Sequence, residues 1–193
     1  EPDDAAAHYL VGRALLHSPR PGDALAAFER ARDEDQLRFR APGEFNDLIR
    51  TLAKERGATL VDVEAALRRR ARYGMIGDDL MTEHLHPNVP GYFLLADAFH
   101  DALLAADLPG PTRRAVPADQ AALEIPVSAV DRLFGDYKVL RLKAHWPFRE
   151  TPVEIELPPA AGVEEELAQA LYRQDQNWVQ VHRRLKDFYA RTG

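Results

Sequence analysis

The stretch Glu83-His84-Leu85-His86-Pro87-Asn88 gathers the side chains best suited to chemistry in this 193-residue sequence. A histidine serves as a general base only when its second ring nitrogen is held in one tautomer, usually by a carboxylate. Carboxylate-x-x-His on a tight turn supplies that carboxylate locally, so Glu83 is placed to orient His86. Pro87 fixes φ and stiffens the loop, Asn88 is a candidate N-cap, and Gly91 opens the helix that follows. A base held this way suits a nucleophile brought from elsewhere in the fold. Two other readings compete. His84 and His86 form a His-x-His pair of the kind a strand presents to a metal, but a proline follows and no third ligand is fixed nearby. A His-Pro-Asn run also makes an ordinary helix-capping loop. His84 itself reads as incidental, and His8, His17, His100, His145 and His182 read as surface or capping residues.

Composition narrows the field. A net charge of −6 argues against nucleic acid or an anionic membrane surface as a main partner. The absence of cysteine excludes disulfides, zinc ribbons and thiol catalysis, and leaves the compartment open. No apolar run approaches the roughly 18–20 residues that a membrane span needs. The opening EPDDAAAHY matches no signal peptide, and no methionine precedes Met75. The sequence therefore reads as a piece of a longer chain. No cofactor is expected.

The elements that must position the loop are mostly helical. Residues 5–34 predict two helices, with Ala6, Tyr9, Leu10, Ala14 and Leu15 on one face and Leu25, Phe28 and Ala31 on the next. Ser18, Pro19, Pro21 and Gly22 break the pattern between them, so the pair folds back as a hairpin. Gly12, Ala24, Phe28 and Ala31 stand where two close helices must meet, a spacing that resembles a tetratricopeptide repeat. Within the turn, Pro21-Gly22-Asp23-Ala24-Leu25 mimics a GDSL signature with alanine at the nucleophile position. Helical spacing accounts for it as a turn and helix start, with Asp23 near the N-terminal dipole.

Phe45, Leu48, Ile49, Leu52 and Ala53 predict an amphipathic helix ending near Gly57. ATLVDV then reads as a buried strand and Glu64-Ala65-Ala66-Leu67 as a new helix. Helix, strand, helix is the rhythm of a parallel α/β sheet, whose ligand sites lie in loops beyond the strand ends. The long loop ARYGMIGDDLMTEHLHPN occupies such a position. A helix follows, with Leu94, Leu95, Ala98, Ala102 and Leu103 on its buried side. PGPTRRAVPADQ is a proline-rich connector, and AVDRLFGDYKVLRLKAHWPF is helical in pattern, weakened by Gly135. ETPVEIELPPAAG reads as an extended arm. A second hairpin over 164–190 turns Leu167, Leu171, Trp178, Val181, Leu185 and Phe188 inwards.

EHLHPNVPGYFLLADAF resembles the last conserved block of the SGNH/GDSL hydrolases, where acid-x-x-His-Pro precedes the final helix and completes a Ser-His-Asp triad. Residues from Ala5 to about Ala106 are similar to a bacterial subgroup of that family. Asp35, Leu37-Arg38-Phe39-Arg40-Ala41, Val61-Asp62-Val63-Glu64 and Glu83-x-x-His86-Pro87-Asn88 carry the match. The resemblance implies His86 as catalytic base and Glu83 as its orienting acid, with Glu83 standing where the family usually has Asp. It divides the chain into a repeat-like hairpin (1–40), the C-terminal part of an SGNH-like α/β domain (41–108), and a connector with a C-terminal helical region (109–193).

No GDS-type serine block and no Gly or Asn oxyanion block is recognisable. Ser18 lies in the hairpin turn and Ser128 beyond the connector. The expected activity is therefore that of half an ester hydrolase or O-acyl transferase, acting on an acyl ester or acylated carbohydrate once an upstream serine is supplied. Arg38 and Arg40 are candidate contacts to an anionic or sugar-like substrate, with structural ion pairing the competing role. The rival reading is a helical-repeat module in which the hairpins bind a protein partner. A strand without sheet neighbours would also leave an exposed edge and favour self-association.

Overall fold

The computed structural model describes residues 4–106 and 116–192. Nine α-helices form among them: α1 (Ala5–Leu16), α2 (Ala24–Asp33), α3 (Gly43–Arg56), α4 (Val63–Arg70), α5 (Val89–Ala105), α6 (Ala118–Leu123), α7 (Ala129–Lys143), α8 (Val163–Tyr172) and α9 (Trp178–Thr192). The chain separates into two compact units, residues 1–122 and 123–193. Most of the proline-rich connector lies outside the described residues. No helix among them is long and apolar enough to cross a membrane.

In the first unit, Asp4 caps α1 by accepting the Ala6 and Ala7 amides at 2.9 and 3.3 Å. A 3-10 turn at Pro21–Asp23 reverses the chain into α2. The two helices touch where Gly12 is buried, and a Cβ there would lie 2.7 Å from the Phe28 ring.

The third helix ends in a Schellman turn. Gly57 adopts φ 62°, and the Ala58 amide reaches back to the Ala53 carbonyl at 2.9 Å. Asp62 then caps α4, accepting the Ala65 amide at 3.0 Å, and pairs with Arg50 on α3 at 2.8 Å. Arg50 also meets Glu64 at 2.8 Å, and Glu64 meets Arg68, which pairs with Glu29 of α2 at 2.7 Å. This ion network ties α2, α3 and α4 together.

The expected strand at ATLVDV does not form. Residues 58–62 form neither helix nor strand, with the Val63 amide turning back to the Val61 carbonyl at 2.9 Å; Val63 already begins α4, and no strand occurs among the described residues. A strand is stable only when a neighbour takes its backbone hydrogen bonds, and none is present beside this segment. The partial parallel sheet is therefore replaced by a helical arrangement. The same lack of a covering layer leaves Phe45, Leu48, Ile49 and Leu52 of α3 between 43% and 53% exposed. Leu103 of α5, expected on the buried side, is exposed as well.

The small core beneath the histidine loop joins Leu67 and Ala71 to Leu80, with Val63, Ile76 and Leu94 packed around them. It fixes α4 and α5 on either side of the loop.

In the second unit, α7 runs unbroken through Gly135 because a capping box starts it and its buried face packs on α8. Val130, Tyr137, Leu167, Ala168, Val181 and Leu185 form the core. The arm preceding α8 forms neither helix nor strand and is tied by Gln169, whose amide donates to the Pro158 carbonyl at 2.8 Å. Trp178, expected inside, is 55% exposed, with its indole N–H bonded to Asp131.

Candidate functional site

The histidine loop is a closed lariat. The amides of Leu80 and Met81 both donate to the Gly77 carbonyl, at 2.9 and 2.8 Å. The Thr82 amide crosses to the His86 carbonyl at 2.8 Å, and the Asn88 amide returns to the Leu80 carbonyl at 3.0 Å. Met81 and Pro87 thereby form an isolated antiparallel bridge. Asn88 finishes the loop in two directions: Oδ1 caps α5 by accepting the Gly91 amide at 3.0 Å, and Nδ2 donates to the Asp78 carbonyl at 3.1 Å. Gly91 is required here, because a Cβ would collide with the Leu80 carbonyl oxygen.

Glu83 is the hub of this lariat, with a side chain only 1% exposed. Its Oε1 accepts the His86 amide at 2.8 Å and is bonded to His86 Nδ1. Its Oε2 accepts the Leu85 amide at 3.1 Å and lies 2.6 Å from His84 Nδ1. Burial alone would push this carboxyl up. The bonds from His86, the nearby His84 and the Leu85 amide reverse that and hold it below the usual glutamate range. Glu83 is thus an ionised, buried acceptor.

A carboxylate can only accept, so the bond to His86 assigns the proton to Nδ1 and leaves Nε2 as the bare, basic nitrogen. The His86 side chain is 61% exposed, which presents that nitrogen at the surface. Glu83, although one methylene longer than aspartate, makes this contact directly. The sequence grouped these two residues; it missed His84, which shares the same carboxylate. Phe39 stands edge-on to the His84 ring, with centroids 5.3 Å apart, and brings the Arg38-Phe39-Arg40 segment against the loop. Arg38 and Arg40 are exposed, and Arg38 Nε donates to the Asp35 carbonyl at 3.3 Å. The two imidazoles turn Nδ1 to opposite oxygens of one carboxylate, which suits holding that carboxylate better than sharing an ion.

A second polar cluster unites residues that the sequence leaves scattered. Ser128 Oγ caps α7 by accepting the Asp131 amide at 3.1 Å and donates to Asp131 Oδ2 at 2.7 Å. His182 Nε2 lies 3.1 Å from both Ser128 Oγ and Asp131 Oδ2, while its Nδ1 is 3.0 Å from the Trp178 carbonyl. Trp178 stacks on His182 with centroids 4.0 Å apart and donates Nε1–H to Asp131 Oδ1 at 3.0 Å. These bonds hold Trp178 at the surface. The residue types are those of a hydrolase triad, but the wiring differs. A triad places the acid on Nδ1 and the serine on Nε2; here both lie on Nε2, and the serine proton is engaged by the carboxylate. The cluster is a helix cap and tether. Its members lie up to 54 residues apart, so only the local Ser128-x-x-Asp131 and Trp178-x-x-x-His182 spacings are visible in sequence.

Asp97, His100 and Asp101 bring ligand atoms within 4.8 Å of one another on α5. Asp101 and His100 are exposed, and the spacing of three and four is that of any polar helix face.

No family model matches this chain, and neither a curated protein nor a solved structure matches it.

Proposed function

We propose that the histidine loop is the acid–base half of an SGNH-type ester hydrolase or O-acyl transferase. The reading rests on one observation: a buried carboxylate bonded to His86 Nδ1, with the opposite ring edge turned to the surface. In this scheme His86 Nε2 accepts the proton of a serine hydroxyl as the oxygen attacks an acyl carbonyl. The resulting imidazolium is stabilised by Glu83 and returns the proton to the departing alkoxide, leaving an acyl-serine. Water or a sugar hydroxyl then takes the acyl group. Ser18 lies in the turn between α1 and α2, and Ser128 is bonded within its own helix cap, so the serine is supplied by a segment outside these residues. That segment would also supply the sheet that the apolar run ATLVDV between α3 and α4 anticipates. Arg38 and Arg40, the neighbours of Phe39 in sequence, are the proposed contacts to an acylated, anionic or sugar-like substrate. The test uses the protein that contains the serine: His86→Ala abolishes turnover of a short acyl ester while the circular dichroism spectrum is retained. Unchanged turnover sinks the assignment.

A non-catalytic reading is favoured by a separate observation, the apolar stripe Phe45, Leu48, Ile49 and Leu52 on α3. In that case the helices serve as a protein-interaction module, and the stripe is its contact face.

A further inference from the structure

We infer that His84 is a positioning residue for Glu83, and through it for His86. The inference deepens the proposed reading of the loop and rests on it. A carboxylate offers about four acceptor directions, and four nitrogens of its own loop lie against the Glu83 carboxylate, three of them in hydrogen bonds. The amide and ring of His86 meet Oε1, and the amide of Leu85 and ring of His84 meet Oε2. The His84 contact, at 2.6 Å, is an ion-pair approach rather than an aligned hydrogen bond. At 2.6 Å an unprotonated nitrogen would repel the carboxylate oxygen, so the contact calls for a proton on His84 Nδ1. Nδ1 is sealed from solvent, and Phe39 packs edge-on against the ring, so the approach is imposed by the packing.

The consequence is a clamp on the carboxylate rotation. With both oxygens engaged, the carboxylate plane is fixed and Oε1 stays on His86. Without His84, Oε2 keeps only the Leu85 amide at 3.1 Å, and the carboxylate can rotate away from His86 Nδ1. His86 then loses its tautomer preference, which is the property a general base needs.

The discriminating pair of variants is His84→Asn, whose amide nitrogen sits at the branch position of Nδ1, and His84→Leu, which removes the donor. Where the leucine variant does not fold, His84→Thr, whose hydroxyl is too short to reach Oε2, replaces it. The readout is the imidazole 15N spectrum of His86 in this chain, which separates protonated from bare ring nitrogens and needs no catalysis. The wild type and His84→Asn should show Nδ1–H with bare Nε2. His84→Leu should lower the ratio of that tautomer to its alternative about tenfold, the size expected for one bond to a charged group. An unchanged tautomer in His84→Leu overturns the inference, and so does an equal loss in His84→Asn and His84→Leu. If wild-type His86 already carries its proton on Nε2, the reading of the whole loop fails instead, so the two failures are told apart.

Discussion

Replacing Glu83 by glutamine changes almost no volume and tests the hub directly. The carboxylate accepts from two backbone amides and one ring nitrogen, and a second ring approaches it, two groups on each oxygen. A carboxamide keeps one oxygen and turns the other into an NH2 donor. Whichever way it sits, the NH2 faces one backbone N–H and one imidazole. The imidazole can respond by moving its proton to Nε2 and accepting. The backbone N–H cannot, and leaving it unsatisfied costs about 1–3 kcal/mol. Losing the charge on the remaining bonds costs about 1 kcal/mol more. Relief from burying a charge offsets part of this. The net sign is still destabilising, because the loop holds the Glu83 carboxyl below the usual glutamate range despite its burial.

The expected loss is therefore about 2–3 kcal/mol, a large share of the marginal stability of a small unit. Urea unfolding followed by far-ultraviolet circular dichroism near neutral pH measures it, and the imidazole 15N spectrum should show a tautomer shift at His84 or His86. A depressed carboxyl contributes stability above its unfolded value that is lost as pH falls through its folded value. The gap between wild type and Glu83→Gln should accordingly close on acidification below about pH 4. A variant within about 0.5 kcal/mol of wild type, with both tautomers unchanged, would refute the hub argument.

Two further outcomes follow from the same framework. Gly91→Ala should destabilise the loop and the start of α5 by about 1–3 kcal/mol, since the new methyl meets the rigid Leu80 carbonyl; a neutral urea midpoint contradicts this. Asp62→Asn keeps the α4 cap but loses the charge opposite Arg50, whose hydrogen bonds hold the Asp62 carboxyl down to about 2. Solvent reaches both partners, so the loss near neutral pH is about 1–2 kcal/mol. Because this carboxyl is depressed, the wild-type advantage should fade as pH drops from about 4 towards its folded value, and a pH-independent gap would show that the pair is not its source.

What was legible in the sequence was local. A three-residue spacing on a tight turn, a proline and an asparagine before a glycine sufficed to anticipate the Glu83–His86 contact and the Asn88 cap. The Gly12–Phe28 meeting and the end of α3 at Gly57 were readable for the same reason. Contacts between distant residues were not. Nothing in the pattern brings Phe39 to His84, or joins Ser128 and Asp131 to Trp178 and His182. ATLVDV carries a strand's composition, but strand formation depends on a neighbour, which a one-dimensional pattern cannot supply. His84 reads as incidental in sequence because its His-x-His pairing with His86 lacks a third metal ligand, although the carboxylate beside it has two oxygens to be held.

The distribution of bonds also explains why the Glu83–His86 contact can be built although no strand forms among the described residues. The lariat's backbone bonds, all four Glu83 contacts and the Asn88 cap lie within residues 77–91. Such local contacts carry a small loop-closure cost. The core beneath them, Leu67, Ala71 and Leu80, is supplied by the adjoining helix and loop. On the proposed reading, a serine nucleophile has no such local route and would be delivered by long-range packing, of the kind that would also cover Phe45, Leu48, Ile49 and Leu52. On that reading, formation of the loop and completion of the site are separable steps. Glu83→Gln and the His84 variants perturb the first with or without hydrolysis, whereas His86→Ala in the serine-containing protein reports on the second.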